Sequence, residues 1–288
     1  MKIARYLMVG LSMLFFLGFI KGGIEASDKI KVSVSVLPQA YFVERIGGDR
    51  VETQVMIPMG ASPATYEPTP QQLVMLSESK LYIKVGVPTF PFEKKHFDSI
   101  IEKNKKMIVV DMSDGIEYRS FLFKKGVKDP HVWVAPYTVK VAAKNIYKAL
   151  SEITPSNRDY FKKNFDSFLS DIEKLDKEIK TILIGKKGYS FMVFHPAWGY
   201  FADEYGLKQL PIEAGGKTPS ASNIKKMIDA AKGKGIEIIF VQKGFDTKSA
   251  KTIANEIGGR VMEINPLEKD WLKNMKEIAE TFSQVLKE

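Results

Sequence analysis

Cysteine is absent from the 288-residue chain. Its absence excludes disulfide bonds, thiolate catalysis and cysteine-ligated zinc, and it leaves no residue to carry an N-terminal lipid anchor. Glycine and proline occur in ordinary numbers, 21 and 14, and 44% of the residues are hydrophobic, which excludes a wholly disordered chain. A chain of this length and composition buries a large core, and we expect that core to be divided between two lobes.

Several common enzyme and nucleotide-binding motifs are missing as well. The chain contains no GxxxxGK[ST] phosphate loop, no GxSxG nucleophile elbow and no GxGxxG turn. The formal net charge is +9, but the lysines are scattered over amphipathic segments. Such scattering favours solvated helix faces over a surface that binds nucleic acid.

The N-terminal segment has the layout of a secretory signal peptide. A basic start with Lys2 and Arg5 precedes fifteen uncharged residues, 6–20, and small residues follow as far as Ser27. This apolar run is shorter than the ~20 residues that a membrane-spanning helix needs. We therefore predict that residues 1–26 are removed and that the mature chain is periplasmic, without a lipid anchor and without a nucleic-acid partner. A retained N-terminal anchor is the alternative.

Strand and helix patterns alternate along the mature chain, apart from a long helical stretch at residues 136–184. Four segments on each side of that stretch are rich in branched and apolar residues and are predicted to be strands. Alternation of strands with helices predicts a mostly parallel sheet in each half. The predicted strands are 30–36, 51–57, 81–85, 107–111, 190–194, 207–212, 236–241 and 260–264.

The central helical stretch divides at Thr154-Pro155, and its second half has an apolar residue at every third or fourth position. A helix of roughly 25 residues is about 38 Å long, enough to run along a pair of domains. We expect an α/β fold of two similar lobes, each a mostly parallel sheet with flanking helices, joined by one long rigid backbone helix. The predicted segments are a signal peptide (1–26), an N-terminal lobe (27–155), the backbone helix (156–184) and a C-terminal lobe (185–288).

Two of the three histidines are placed where they would face a cleft between the lobes. His195 comes directly after a predicted strand, and His131 lies in the turn before the helix that begins near Pro136. Ligands of open α/β sheets bind beyond the carboxyl ends of the strands, so both imidazoles are candidate metal ligands. A hydrogen-bonded structural role fits each of them equally well. The third histidine, His96, lies among charged residues and is predicted to be solvated.

A family resemblance is carried by six segments in order along the mature chain: 60–70 (GASPATYEPTP), 129–133 (DPHVW), 194–206, 211–213, 217–220 and 238–242. Together they resemble the zinc- and manganese-binding solute receptors of bacterial metal-ion ABC importers, in particular the zinc-receptor branch. The resemblance implies two lobes bridged by a rigid helix and a buried divalent-metal site between them. It further implies a monomeric receptor without catalysis that delivers its metal to a membrane permease with its ATPase.

The metal ligands that the resemblance implies are only partly present. The family's first histidine is replaced by Ala64, whose methyl group cannot bind a metal. The second and third positions are His131 and His195, and histidine at the third position points to zinc, since manganese-binding members commonly have glutamate there. The fourth, often aspartate, aligns with Asn265, a weaker donor for zinc. Zinc-type members often have a histidine- and acid-rich loop before the second ligand, but residues 117–128 are basic and aromatic.

Zinc prefers four donors, so a site with two imidazoles leaves three possibilities open. A carboxylate that the family does not normally use completes the site, with Glu67, Glu213 and Asp270 as candidates. Alternatively, His131 and His195 hold the metal loosely together with two waters. In the third case the cleft has been adapted to a non-metal solute. An exported metallo-hydrolase is a further alternative, disfavoured because the chain has no HExxH motif. The aromatic residues that would line an apolar cleft are Tyr66, Trp133, Trp198, Tyr200 and Phe201.

Overall fold

Two parallel four-stranded sheets form the centres of two lobes in the computed structural model, which describes residues 29–121, 124–213, 219–242 and 248–286. The predicted signal peptide, 1–26, lies outside the described residues. The first sheet contains β1 (Ile30–Val34), β2 (Val51–Val55), β3 (Leu81–Lys84) and β4 (Ile108–Asp111). A two-stranded antiparallel hairpin follows, formed by β5 (Ser120–Phe121) and β6 (Lys124–Lys128). The second sheet contains β7 (Ser190–Val193), β8 (Lys208–Pro211), β9 (Ile238–Val241) and β10 (Arg260–Glu263).

Helices connect the strands and cover the sheets. Their bounds are α1 (Leu37–Gly47), α2 (Pro70–Ser77), α3 (Pro91–Lys103), α4 (Pro136–Ile153), α5 (Arg158–Ile182), α6 (Gly199–Tyr205), α7 (Ala221–Lys232), α8 (Lys248–Glu256) and α9 (Trp271–Val285). Within the described ranges, no helix combines the length and the apolar character needed to cross a membrane.

The two lobes share one sheet topology. The first sheet has the strand order β2-β1-β3-β4 and the second has the order β10-β9-β7-β8. In both lobes the second strand therefore lies beside the first, and the chain then crosses over to add the third and fourth strands on the other side. The strand order reverses between β1 and β3 and again between β7 and β9, and such switch points are where open parallel sheets bind ligands. The expected fold, two similar α/β lobes, is confirmed.

The first strand is buried on both faces from Val32 onwards. Ile30, Val32 and Val34 alternate with polar residues, but the intervening Ser33 is fully buried too, and its hydroxyl lies 2.7 Å from that of Ser79. A parallel sheet covered by helices on both sides explains this burial.

Helix α5 is the long connection between the lobes, and its buried face points into a core shared with α4 and with both lobes. Helix α9, although it follows the last strand of the C-terminal sheet, also packs against α5. Its first residue, Trp271, contacts the ring of Phe42 on α1 with centroids 5.6 Å apart. The backbone helix thus packs against a helix that follows the C-terminal sheet. The buried residues of α5 are Phe161, Phe165, Phe168, Ile172, Leu175 and Ile179.

Two details differ from expectation. The hairpin β5–β6 was not predicted, because β5 has only two residues, β6 is basic, and the pairing contains a register shift. His96 is buried, with only 9% of its surface exposed, because its ring packs against Phe92 at a centroid distance of 5.0 Å. The prediction of a solvated His96 was therefore wrong.

Candidate metal centre

His131 and His195 meet between the lobes. His131 immediately precedes the short 3-10 turn Val132–Val134 that leads into α4, and His195 follows β7 at the switch point of the C-terminal sheet. Their Nε2 atoms lie 3.2 Å apart. Two nitrogen ligands of one tetrahedral zinc ion, each about 2.0–2.1 Å from the metal, are separated by about 3.3 Å. The observed separation fits two imidazoles that bind one zinc ion.

Each imidazole is held from behind by a buried carboxylate. Nδ1 of His131 lies 2.7 Å from Oδ1 of Asp129, and Nδ1 of His195 lies 3.2 Å from Oε1 of Glu213. Asp129 is fully buried and Glu213 is 5% exposed. An imidazole that donates its Nδ1 proton to a carboxylate carries its lone pair on Nε2, the atom offered to a metal. Both rings therefore present lone pairs towards the same point.

The electrostatics around His131 favour its neutral, metal-binding form. Burial lowers the pKa of His131 below its ordinary value, against the opposing effect of the Asp129 carboxylate. Burial alone would raise the pKa of Asp129, but His131 and the Arg119 guanidinium beside it lower that pKa overall. The carboxylate is therefore ionised and able to accept the Nδ1 proton. A neutral imidazole is the state that a divalent metal requires.

The sequence predicted four additional candidate ligands: Asn265, Glu67, Glu213 and Asp270. Of these, Glu213 contacts His195. The Glu67 carboxylate is exposed, forms an ion pair with Lys95 and lies 3.4 Å from Nε2 of His96. Asp270 caps α9, where it accepts a hydrogen bond from the backbone N–H of Lys273 at 3.5 Å. The structure thus gives Glu67 and Asp270 other partners.

The side chain of Asn265 is engaged within its own turn. Its Oδ1 accepts a hydrogen bond from the backbone N–H of Leu267 at 2.9 Å, and its Nδ2 donates to Glu268 at 3.2 Å. Ala64 lies exposed in the loop between β2 and α2. Across the described part of the chain, no group of three or more His, Asp or Glu residues is arranged to hold a metal ion. The site that the described residues form is therefore a pair of imidazoles.

A buried amide adjoins the pair on the C-terminal side. Gln242 follows β9 and lines a small cavity with His195, Trp198 and Ile264. It is 7% exposed, and its Oε1 has no hydrogen-bond partner among the residues that the structure describes. Buried acceptors are nearly always paired, so this oxygen is suited to accept a hydrogen bond from a molecule that enters the site.

A family model described as zinc-uptake complex component A, periplasmic, matches residues 32–285. The chain belongs to this family. Its members are solute-binding receptors of ABC importers and not enzymes, which excludes the metallo-hydrolase alternative. The family resemblance predicted from the six sequence segments is thereby confirmed.

Individual relatives agree with the family assignment. The chain is 28% identical over 263 residues to the high-affinity zinc uptake system protein ZnuA of Bacillus subtilis, covering 86% of this chain and 82% of that protein. It is 27% identical over 310 residues to the zinc-binding protein AdcA of Streptococcus pyogenes and spans 60% of the length of AdcA. A crystal structure of ZnuA superposes with a TM-score of 0.86 at 40% identity, covering 90% of this chain and 99% of that one.

Sequence reasoning named both histidines and Glu213 but assigned no role to Asp129 or Arg119. Asp129 did carry a signal, because an aspartate two residues before His131 can accept a hydrogen bond from the backbone N–H of that histidine. That bond is present at 3.0 Å. Arg119 gave no comparable signal, since its partners Asp129 and Asp203 lie 10 and 84 residues away and no local motif links them.

Proposed function

We propose that this protein is an extracytoplasmic receptor that captures zinc between His131 and His195 and delivers it to the permease and ATPase of an ABC importer. The observation that carries the proposal is the Nε2–Nε2 separation of 3.2 Å, with each outer nitrogen held by a buried carboxylate. The family of the chain and the zinc-binding relatives support the same conclusion.

Zinc fits this donor set better than manganese does. Imidazole nitrogens suit zinc, whereas manganese prefers carboxylate, carbonyl and water oxygens. With Ala64 at the first ligand position and the Asn265 side chain bonded within its own turn, we propose that water completes the coordination. Zinc binding should then be weaker than in relatives with four side-chain ligands, and release to the permease correspondingly easier.

Four of the five aromatic residues considered for a non-metal solute belong to the protein core. Trp133, Trp198, Tyr200 and Phe201 are each at most 1% exposed, and Tyr66 is partly buried against the same core. Of these, Trp198 lines the small cavity beside His195. No observation on the described residues favours a non-metal solute.

The test is zinc binding by isothermal titration with protein purified without a histidine tag. We expect one zinc per chain for the parent and loss of binding in His131→Ala and His195→Ala. The matched control is His96→Ala, which removes the remaining histidine of the chain. His96 is next to Glu67 and not next to the pair, so this variant should bind zinc like the parent. Parental zinc binding by both His131→Ala and His195→Ala would show that the site lies elsewhere.

We also propose that the receptor is a monomer exported by a cleavable signal at residues 1–26, without a lipid anchor. Its lobes are then 27–155 and 185–288, joined by the helical segment 156–184. N-terminal sequencing of protein from an exporting host should start close to Ser27, and recovery of intact Met1 would instead show a retained anchor.

A further inference from the structure

Arg119 connects the two lobes directly behind the histidine pair. Its Nη1 donates to Oδ2 of Asp129 at 2.6 Å, and its Nε donates to Oδ2 of Asp203 at 2.8 Å. Asp129 lies beside the metal-binding His131 and is fully buried, whereas the Asp203 side chain on α6 is 54% exposed. One guanidinium thus joins a buried carboxylate of the site to a surface carboxylate of the other lobe.

The start of α6 is shaped around this guanidinium. A Cβ atom added to Gly199 would collide with the Arg119 guanidinium and lie 2.7 Å from Oδ2 of Asp129. The neighbouring Tyr200 ring lies 5.9 Å from the guanidinium carbon, and its hydroxyl donates to the backbone carbonyl of Asp129 at 2.9 Å. The Arg119 side chain is only 13% exposed. Arg119 is therefore an integral part of the lobe interface.

Arg119 also determines how the Asp129 carboxylate is oriented. With Oδ2 bonded to Arg119, Oδ1 is left to accept from Nδ1 and from the backbone N–H of His131, at 2.7 and 3.0 Å. Charge-assisted bonds to both oxygens prevent the carboxylate from rotating. Outer partners of this kind fix the tautomer and orientation of a metal-binding histidine. Without Arg119, Oδ2 would lose its charged partner and the carboxylate would be held only by its two bonds to His131.

We propose that Arg119 is a positioning residue that locks the Nδ1–H tautomer of His131 and, through Asp203, couples the contact between the lobes to zinc affinity. The inference rests on the proposed function, because the coupling is measured as zinc binding. The tautomer of His131 is a separate readout, since it is observable in the zinc-free protein.

The test compares four variants of the mature chain. Arg119→Met removes both ion pairs but keeps an apolar stem, Arg119→Lys keeps a charge, and Asp203→Asn weakens the outer pair alone. The matched control, Arg45→Met, removes an arginine that pairs with Asp171 at 2.5 Å against helix α5 and away from the site. Zinc affinity is measured by competition with a chelator. Selective 15N-histidine labelling reports the tautomers, with only three histidines to assign.

In Arg119→Met we expect zinc affinity to fall by about 10- to 100-fold, the usual loss for an outer partner, and His131 to show mixed tautomers. Arg119→Lys should retain part of the zinc affinity and part of the preference of His131 for the Nδ1–H tautomer. Asp203→Asn should weaken zinc binding while His131 keeps its tautomer, because the bond between Arg119 and Asp129 remains. Arg45→Met should change neither the zinc affinity nor the tautomer of His131.

Parental affinity and a pure Nδ1–H tautomer in a folded Arg119→Met protein would overturn the positioning role. Should that variant fail to fold, unchanged affinity in Asp203→Asn would still overturn the coupling. If the parent binds no zinc, the proposed function fails, and the tautomer of His131 in the zinc-free variants still decides the role of Arg119.

Discussion

The carboxyl group of Glu93 accepts a hydrogen bond from the Ser35 hydroxyl at 2.5 Å, at the switch point of the N-terminal sheet. The backbone N–H groups of Val85 and Gly86, just beyond β3, donate to the same carboxyl at 2.5 and 3.0 Å. In the C-terminal sheet the corresponding place is next to His195. The N-terminal lobe thus fills its switch point with its own Glu93 side chain, whereas at the switch point of the C-terminal lobe His195 meets His131.

Glu93 should make the stability of the protein depend on pH. Burial raises the pKa of Glu93 from its ordinary 4.5 to about 7, although its three hydrogen bonds act in the opposite direction. Because the folded state binds this proton more tightly than the unfolded state, the stabilisation is complete below pH 4.5 and is lost as the pH rises through about 7. Urea unfolding should therefore show Glu93→Gln as more destabilising at pH 5 than at pH 8. The matched control is Glu178→Gln, at an exposed ion pair with Lys276, which should show no such difference. An equal loss in the free energy of unfolding for Glu93→Gln at both pH values would contradict the prediction.

Ala64→His should tighten zinc binding by about tenfold or more, because a third imidazole replaces a water in the coordination of the metal. The expectation depends on the loop after β2 holding the position that the family gives it. Thr65→His adds the same imidazole to the next residue, which is also exposed, and should leave affinity unchanged. Isothermal titration on both variants is the measurement. Equal gains in the two would indicate binding by a surface histidine rather than completion of the site.

Zinc affinity should fall with acidification, and the protonation of His131 should contribute only at low pH. Burial lowers the pKa of His131 below its ordinary 6.5, so this ring stays neutral as the pH falls to that value. Below it, protons compete with the metal for Nε2 and binding weakens. A chelator competition series from pH 8 to pH 5 on the parent checks this, together with an NMR titration of the His131 ring in the zinc-free protein. A His131 ring that is already protonated between pH 8 and 7 would contradict the prediction.

The lobes should move little relative to one another when zinc binds. The Trp271 indole donates to the backbone carbonyl of Trp133 at 2.6 Å, and the Trp133 indole donates to that of Pro266 at 2.8 Å. These bonds brace the segment next to His131 from the C-terminal side, while α5 runs between the lobes without proline or glycine. The radius of gyration from solution scattering should be nearly the same with and without zinc. A fall of several ångströms would contradict a rigid connection.

Much of the fold was predictable because its signals are local. All eight strands of the two sheets were predicted, with ends within two residues or so of those observed, since each is a short apolar run between helix-forming segments. The long helix was predicted from apolar residues at every third or fourth position. The motif around His131 and the strand before His195 likewise predicted that both candidate ligands lie in loops between the lobes.

What the chain determined by itself was therefore the order and type of its elements and the two histidines proposed as metal ligands. Tertiary structure alone decided that His131 and His195 face each other, that Asp129 and Glu213 hold their outer nitrogens, and that Arg119 reaches across to α6. The tertiary structure also places the His96 side chain in the protein interior. The physical reason is that periodicity reports which face of an element is apolar, whereas a contact between side chains 64 residues apart depends on how whole elements pack.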